Sequence, residues 1–592
     1  MATLRRQYEG ILPPSLEEID NFQAQVIKYR MGEADPMEFR PFRLQHGIYG
    51  QRQPENQMVR VKLPFGGVTA KQLEYFAVIA EQYSGTVRGH VTTRQNFQFH
   101  FVPLDSVPEI MNGLAQVGLT TREACGNTVR NVTACPYAGV ARGETFDVTP
   151  YAAAYARFFL RRPENQNLPR KWKTAFSGCV DGSHGVNGDC ALTAIHDIGF
   201  IARIREVDGV PLRGFSIVVG GGTSTMARKA EVLYDFIPAD HGEYLRISAA
   251  ALAVFNRDGQ RKNRNQARIK WLIRKIGWDE FRRRVAEELT QPWAQEFQVD
   301  MPELMDLDEE EVGEVVPLEG DLPPGYARWR LTNVHPQQQR GFFAASITLP
   351  LGDLSPAQFR QVAEITRRFS GGRARTNIQQ NIVLRHVREE SLPALYTALA
   401  EIGLGEAGAN TITDVVSCPG TDSCSLAIAS SRGLGRALAR HLKANGSFDP
   451  DVEKITIKMS GCPNGCGQHH VGAIGFSGAS SKQHGREVPT AELWLGGGVT
   501  DKGFRYGTLA GKVPTKHAPQ LIDRLLTIYQ AERQQGEPFQ DFVERVGAKA
   551  LGARALEGLT TVLPPDQEPD AYMDWGSTQL FEVVRGEGEC AV

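Results

Sequence analysis

A chain of 592 residues with 41% hydrophobic content is long enough to bury three or four separate cores. Its 66 Lys and Arg against 68 Asp and Glu leave a net charge of −2, which excludes bulk attraction to nucleic acid or to an anionic membrane, so any basic function must be local. No run of 18 apolar residues occurs, MATLRRQYEGILPPSLEEID has no apolar h-region, and nine cysteines are few for this length, so a cytoplasmic, reducing location is expected.

Residues 1–45 read as a polar lead-in with a short helix after Pro14. RVKLPFGGVTAKQLEYFAVIAEQYSG (60–85) reads as a strand, a Gly turn and an amphipathic helix entered through the capping box Thr69-x-x-Gln72. In HVTTRQNFQFHF (90–101) a period of two predicts one strand, with Val91, Phe97, Phe99 and Phe101 on one face and Arg94, Asn96, Gln98 and His100 on the other. Further on, the KWK stretch puts Lys171 and Lys173 on one face of a strand, with Trp172 and Thr174 behind. RKNRNQARIK (261–270) is a basic stretch. Residues 300–321 carry ten Asp or Glu and no Lys or Arg before Pro323 and Pro324, and are expected to be a solvated linker.

Beyond the linker the plan repeats. SITLPLGDLSPAQFRQVAEITRRFSG (346–371) is again strand, turn and helix, with the box Ser355-x-x-Gln358 and Pro356 at the first helical position. NTVRNVTACP (127–136) pairs with NTITDVVSCP (410–419), and Cys135 and Cys179 each lie 283 residues before Cys418 and Cys462. GGGT (220–223) and Pro238–His241 lie 276 residues before GGGV (496–499) and Pro514–His517. The chain is a duplicated unit. Opposite Cys424 and Cys466 the first half has Ala141 and Ser183, whereas it has Arg130 and Lys173 opposite Thr413 and Thr456, so cations replace thiols there.

CPGTDSC (418–424) and GCPNGC (461–466) set four cysteines in two pairs among Gly, Pro, Asn and Ser. Soft sulfur ligands select Zn, Cu(I) or an iron–sulfur cluster, and Cys-x5-Cys with Cys-x3-Cys is wider than a zinc ribbon's spacing, which favours [4Fe–4S]. SLAIASSRGLGRALARHLK after Cys424 reads as a helix whose N-terminus favours an anionic neighbour. His469 and His470, like Cys125, Cys179 and Cys190, are read as packing or surface residues, and Cys590, third from the end, is not a prenylation box.

CPGTDSC…KMSGCPNGCGQHHVGAIGF resembles the signature of the sulfite and nitrite reductases that couple a [4Fe–4S] cluster to siroheme. The resemblance implies an α/β (α+β) fold with a pseudo-two-fold axis: two ferredoxin-like half-domains joined into one, and two larger mixed α/β domains. The expected organisation is an N-terminal extension (1–45), first half-domain (46–120), first siroheme/substrate domain (121–299), acidic linker (300–325), second half-domain (326–404), [4Fe–4S]/siroheme domain (405–565) and C-terminal tail (566–592). It makes Cys418, Cys424, Cys462 and Cys466 cluster ligands, with Cys466 also bridging to the siroheme iron. The family's substrate cations fall on Arg94, Arg130, Lys171 and Lys173, and its macrocycle-gripping segments on RKNRNQARIK and RARTNIQQN (373–381), hence Arg264, Arg268, Lys270, Gln380 and Asn381.

On this reading the enzyme reduces sulfite to sulfide with six electrons from an external donor, ferredoxin or a flavoprotein subunit, since no dinucleotide fingerprint or flavin domain is evident. Nitrite reduction on the same scaffold is the alternative. In nitrite reductases the second lysine of the Lys-x-Lys strand is typically Asn, and this chain has Lys173. A non-enzymatic electron carrier or structural metal module would not need the basic strands of the first half.

Overall fold

The computed structural model describes residues 10–179, 189–446, 448–586 and 588–589. In the first half, β1 (Ile48–Gly50), β2 (Asn56–Arg60), β3 (Gly67–Thr69), β4 (Gly89–Val91) and β5 (Phe97–Pro103) precede β6 (Val129–Ala134), β7 (Trp172–Ser177), β8 (Ile198–Val207), β9 (Val210–Val219) and β10 (Glu231–Pro238). The second half repeats this with β11 (Val334–Pro336), β12 (Phe342–Ile347), β13 (Asp353–Leu354), β14 (Arg373–Thr376) and β15 (Ile382–Arg388), then β16 (Val416–Ser417), β17 (Ile457–Ser460), β18 (Ile474–Gln483) and β19 (Arg486–Leu495). The hairpin β20 (Gly498–Thr500) and β21 (Gly503–Arg505) leads to β22 (Thr508–Pro514).

The two large sheets share one order, β6-β7-β8-β9-β10 and β16-β17-β18-β19-β22, each beginning with two parallel pairs and continuing antiparallel. The equivalence extends to single bonds: Cys135 N–H donates to Phe176 O at 3.1 Å and Cys418 N–H to Met459 O at 3.3 Å. The two small sheets, β1-β2-β5-β4-β13 and β11-β12-β15-β14-β3, exchange their edge strands, so neither half completes its sheet alone. Both predicted capping boxes form, opening the helices Ala70–Gln82 and Pro356–Ser370. Phe76 and Phe359 of these helices meet at 6.1 Å in one core that both half-domains share.

Three local expectations need correction. Residues 90–101 are not one strand: β4 turns into β5 through a hairpin in which Thr92 N–H bonds Asn96 O and Gln95 takes φ 56°. Phe101 takes φ 56°, and this bulge hands the core side of β5 from Phe99 to Val102, leaving Phe101 half-buried. The helix expected after Cys424 starts only at Ser431, capped by Ser430, because Cys424–Ser430 carries the ligand loop in irregular backbone. The acidic linker is not uniformly solvated either. Glu310 is bound by Arg375 (3.1 Å), Arg385 and His386 (3.5 Å), and the Gly313 and Glu314 N–H groups bond His386 O and Arg368 O beside β15. Two buried arginines on neighbouring strands require a counter-ion, and the linker supplies it.

Candidate active site

A solvent-connected cleft lies where the two halves meet, lined by residues of both. The second half contributes Cys418, Cys424, Cys462 and Cys466, all lining the cleft, from the ends of β16 and β17 and their following loops. The first half closes the opposite side. Arg52 N–H donates to Ser423 O (2.9 Å), Gln53 Nε2 to Asp422 O (3.1 Å) and Thr93 Oγ1 to Cys466 O (2.8 Å).

The thiols fit a polynuclear cluster rather than one ion. Cys424 and Cys466 are exposed to the cleft while Cys418 and Cys462 are buried, and the Cys418 sulfur accepts the Gly461 N–H at 3.2 Å. No three of the four have sulfurs within 4.8 Å of one another, whereas thiolates sharing one zinc at bonds near 2.3 Å sit about 3.8 Å apart. The electrostatics fit an acidic macrocycle. Among the described residues Arg60, Arg170, Lys171, Lys173, Arg264, Arg268 and Lys270 line the cleft against one carboxylate, Glu589, an imbalance that favours a polyanion such as siroheme's carboxylates.

Lys171 and Lys173 face the cleft while Trp172 and Thr174 are buried, as the strand period requires. Burial and the charges of Lys171, Arg268 and Arg94 push the Lys173 ammonium well below the ordinary lysine range, with Cys466 opposing them. Arg94 sits on the β4–β5 hairpin, not on a strand face. It donates to His196 Nε2 at 2.8 Å and to Asn131 O, and burial followed by the Arg130 charge lowers it to about 9. Arg130 is committed to Gly126 O (2.8 Å) and Ala124 O (3.1 Å), and neither arginine lines the cleft, so both stand behind its wall.

Of the expected macrocycle contacts, Arg264, Arg268 and Lys270 line the cleft. Arg268 is forked onto Asp197 (2.8 and 2.7 Å), and Lys270 donates to Thr223 O (2.5 Å) and Met226 O, with burial and then Arg268 lowering its ammonium to about 7. Gln380 and Asn381 are corrected: neither reaches the cleft. Gln380 holds Val91 O (3.0 Å) and the Ser417 N–H (2.9 Å), and Asn381 holds the Leu349 N–H (2.8 Å) and Asp414 (2.7 Å), so these amides tie the half-domains to the ligand-bearing strand. His469 and His470, expected to be packing or surface residues, are buried, with ring centroids 3.8 Å apart and planes tilted by 30°.

Several site residues escaped the sequence reading. Asp197 fixes Arg268 and also accepts the Lys173 N–H at 2.8 Å; its signal was a lone acid at the head of the apolar run IGFIA. Arg170, directly before the KWK stretch, and Arg60, at the end of β2, add two cations to the cleft. Glu589 reaches back from the C-terminal tail to the Gly50 N–H (2.5 Å) and Arg43 (3.1 Å), a contact with no local signature. Ser183 and Cys590 lie outside the described residues. Cys179 and Cys190, read as separate packing residues, converge with Cys135 away from the cleft.

The sequence model of the nitrite and sulphite reductase 4Fe-4S domain matches residues 125–293 and 408–559, and that of the nitrite/sulfite reductase ferredoxin-like half domain matches 49–117 and 335–402. The ferredoxin–nitrite reductase of Synechococcus elongatus is 30% identical over 75% of this chain and 81% of its own length. A sulfite reductase [ferredoxin] of Mycolicibacterium paratuberculosis is 28% identical over 83% of each chain. The structure of Mycobacterium tuberculosis NirA aligns with a TM-score of 0.73 at 26% identity, covering 91% of this chain and 98% of that one.

Proposed function

Because the chain belongs to the nitrite and sulphite reductase family, we propose that it is a sulfite reductase, taking sulfite to sulfide with six electrons from an external donor such as ferredoxin. The family's cofactors are siroheme and a [4Fe–4S] cluster; on this reading Cys418, Cys424, Cys462 and Cys466 would hold the cluster, and Cys466 would be the ligand shared with siroheme. Bound siroheme supplies the iron site to which substrate attaches and through which electrons reach it. The protein's own part is to bind an anion, neutralise it and deliver protons.

Lys171 and Lys173 project from one strand face into the cleft, where preorganised cations stabilise a compact dianion without reorganising at the moment of reaction. The depressed basicity of Lys173 suits proton donation to departing oxygens. Arg94 and Arg130 add positive potential from behind, and Asp197 fixes both Arg268 and the Lys173 backbone. On this reading Arg60, Arg170 and Arg264, with Arg268 beside Asp197, would meet macrocycle carboxylates. Relatives named for ferredoxin are what support ferredoxin as donor.

The relatives include enzymes named for nitrite and for sulfite, so substrate choice rests on the site itself. The observation that carries sulfite is Lys173 facing the cleft beside Lys171, where nitrite reductases typically have Asn. Sulfite carries up to two charges and nitrite one. A unit charge at about 4 Å and an effective dielectric near 20 contributes roughly 4 kcal/mol before desolvation. Even a quarter of that, expressed as preference, changes the ratio several-fold, since about 1.4 kcal/mol is tenfold. Lys173→Asn is expected to lower kcat/KM for sulfite several-fold while sparing or raising that for nitrite. An unchanged sulfite-to-nitrite ratio would remove Lys173 as the selecting residue.

A further inference from the structure

Cys135, Cys179 and Cys190 come from three separate points of the chain: Cys135 follows β6, Cys179 follows β7, and Cys190 precedes β8. Their exposures are 0%, 2% and 3%. The Cys135 sulfur lies 2.8 Å from that of Cys190 and 3.6 Å from that of Cys179, and all three sulfurs are within 4.8 Å of one another. None of them lines the cleft.

Hydrophobic packing spreads thiols over hydrocarbon and gives no reason for three to converge. A disulfide, with its S–S bond near 2.05 Å, uses two sulfurs and leaves the third unexplained. An iron–sulfur cube needs the wider spacing of the cleft cysteines, no three of which approach one another this closely. Three sulfurs within 4.8 Å of one another are close enough to share one ion, around which zinc thiolates lie about 3.8 Å apart, with the Cys135–Cys190 pair opening from 2.8 Å to admit it.

Duplication supplies the origin. Cys135 and Cys179 occupy the places of the cluster ligands Cys418 and Cys462, down to the shared bond from the Cys135 or Cys418 N–H to the neighbouring strand. The first half lacks a thiol opposite Cys424, where it has Ala141, and Cys190 gives it a third sulfur from a different direction.

We propose that Cys135, Cys179 and Cys190 bind a single thiophilic d10 cation, Zn2+ or Cu+, in a buried structural site distinct from the cluster cysteines. Binding releases the three thiol protons and ties the C-terminal ends of β6 and β7 to the segment entering β8. That segment also carries Thr193, His196 and Asp197, so the ion would brace the wall that holds Arg94 and Arg268.

The test is elemental analysis of the holoenzyme, purified anaerobically without chelator from cells grown with zinc and copper. The expected result is one zinc or copper per chain in addition to the siroheme iron and four cluster irons. X-ray absorption at the edge of that metal should show sulfur ligands at about 2.3 Å and identify which ion it is. Cys190→Ser should lose the ion while keeping iron content and siroheme absorption. The wild-type metal count decides even if the variant folds poorly. Substoichiometric zinc and copper in the wild type, a Cys135–Cys190 disulfide in unreduced protein, or an ion retained by folded Cys190→Ser would each overturn the proposal.

Discussion

Cys466 and Lys173 reach the cleft from opposite halves, one in a thiol set and one in a cation set, and their interaction shows in the opposing pull of Cys466 on the Lys173 ammonium. Cys466→Ser is therefore expected to lower sulfite turnover by more than about 100-fold, beyond the 10- to 100-fold typical when a ligand's supporting partner is removed, and to alter the siroheme spectrum. Cys590→Ser should leave activity and spectrum unchanged. Equal behaviour of the two variants would refute the bridging role. At this scale the sequence was legible where chemistry and local spacing coincide, as in the four cysteines and the KWK strand. It was misleading at Gln380 and Asn381, because polar residues suited to a carboxylate are equally suited to backbone N–H groups, and only the tertiary fold decides which is near.

Asp353, on the exchanged strand β13, accepts from His90 (3.0 Å) and Arg88 (3.1 Å) across the half-domain junction and from Arg432 in the helix Ser431–Ala444. Burial alone would raise the Asp353 carboxyl, but His90 and Arg432 with Arg88 overcome it and hold the group well below the usual carboxylate range. Burial lowers the His90 imidazole, and Arg432 supplies a cation against the Asp353 carboxylate. Asp353→Asn is expected to cost about 3 kcal/mol, visible as a lower Tm. The sign follows from the depressed pKa: this stabilisation is full above the unfolded carboxyl value near 4 and is lost as pH falls below it. The Tm gap between wild type and variant should thus narrow in acid; a gap that widens there contradicts the assignment. Strand exchange itself left no trace in the sequence, since β3 and β13 are two- or three-residue pieces whose partners lie hundreds of residues away.

Across the whole molecule, duplication was the most legible feature, because an offset of 283 between paired cysteines needs no structure to measure. Its consequence was less legible. His100 borders the cleft in the first half, while its counterpart Arg385, next to His386 as His100 is next to Phe101, is capped by Glu310 of the linker. The linker thus occupies on one side of the pseudo-axis what stays open on the other. Charge composition alone could not reveal this, because one half-buried, doubly paired carboxylate looks the same in sequence as its more exposed neighbours. Glu310→Gln should lower stability by about 3 kcal/mol by leaving Arg375 and Arg385 without their counter-ion, while Glu309→Gln, on an exposed residue, should change it by less than about 0.5 kcal/mol. Equal melting of the two variants would mean that the linker does not brace the fold.

Substrate preference of the intact enzyme tests the central claim most directly. Steady-state kcat/KM would be measured for sulfite and for nitrite on one preparation with siroheme and iron content verified, using an artificial one-electron donor so that the partner does not limit the rate. The expected result is a larger kcat/KM for sulfite, with sulfide as product. A larger kcat/KM for nitrite, with ammonia as product, would contradict it.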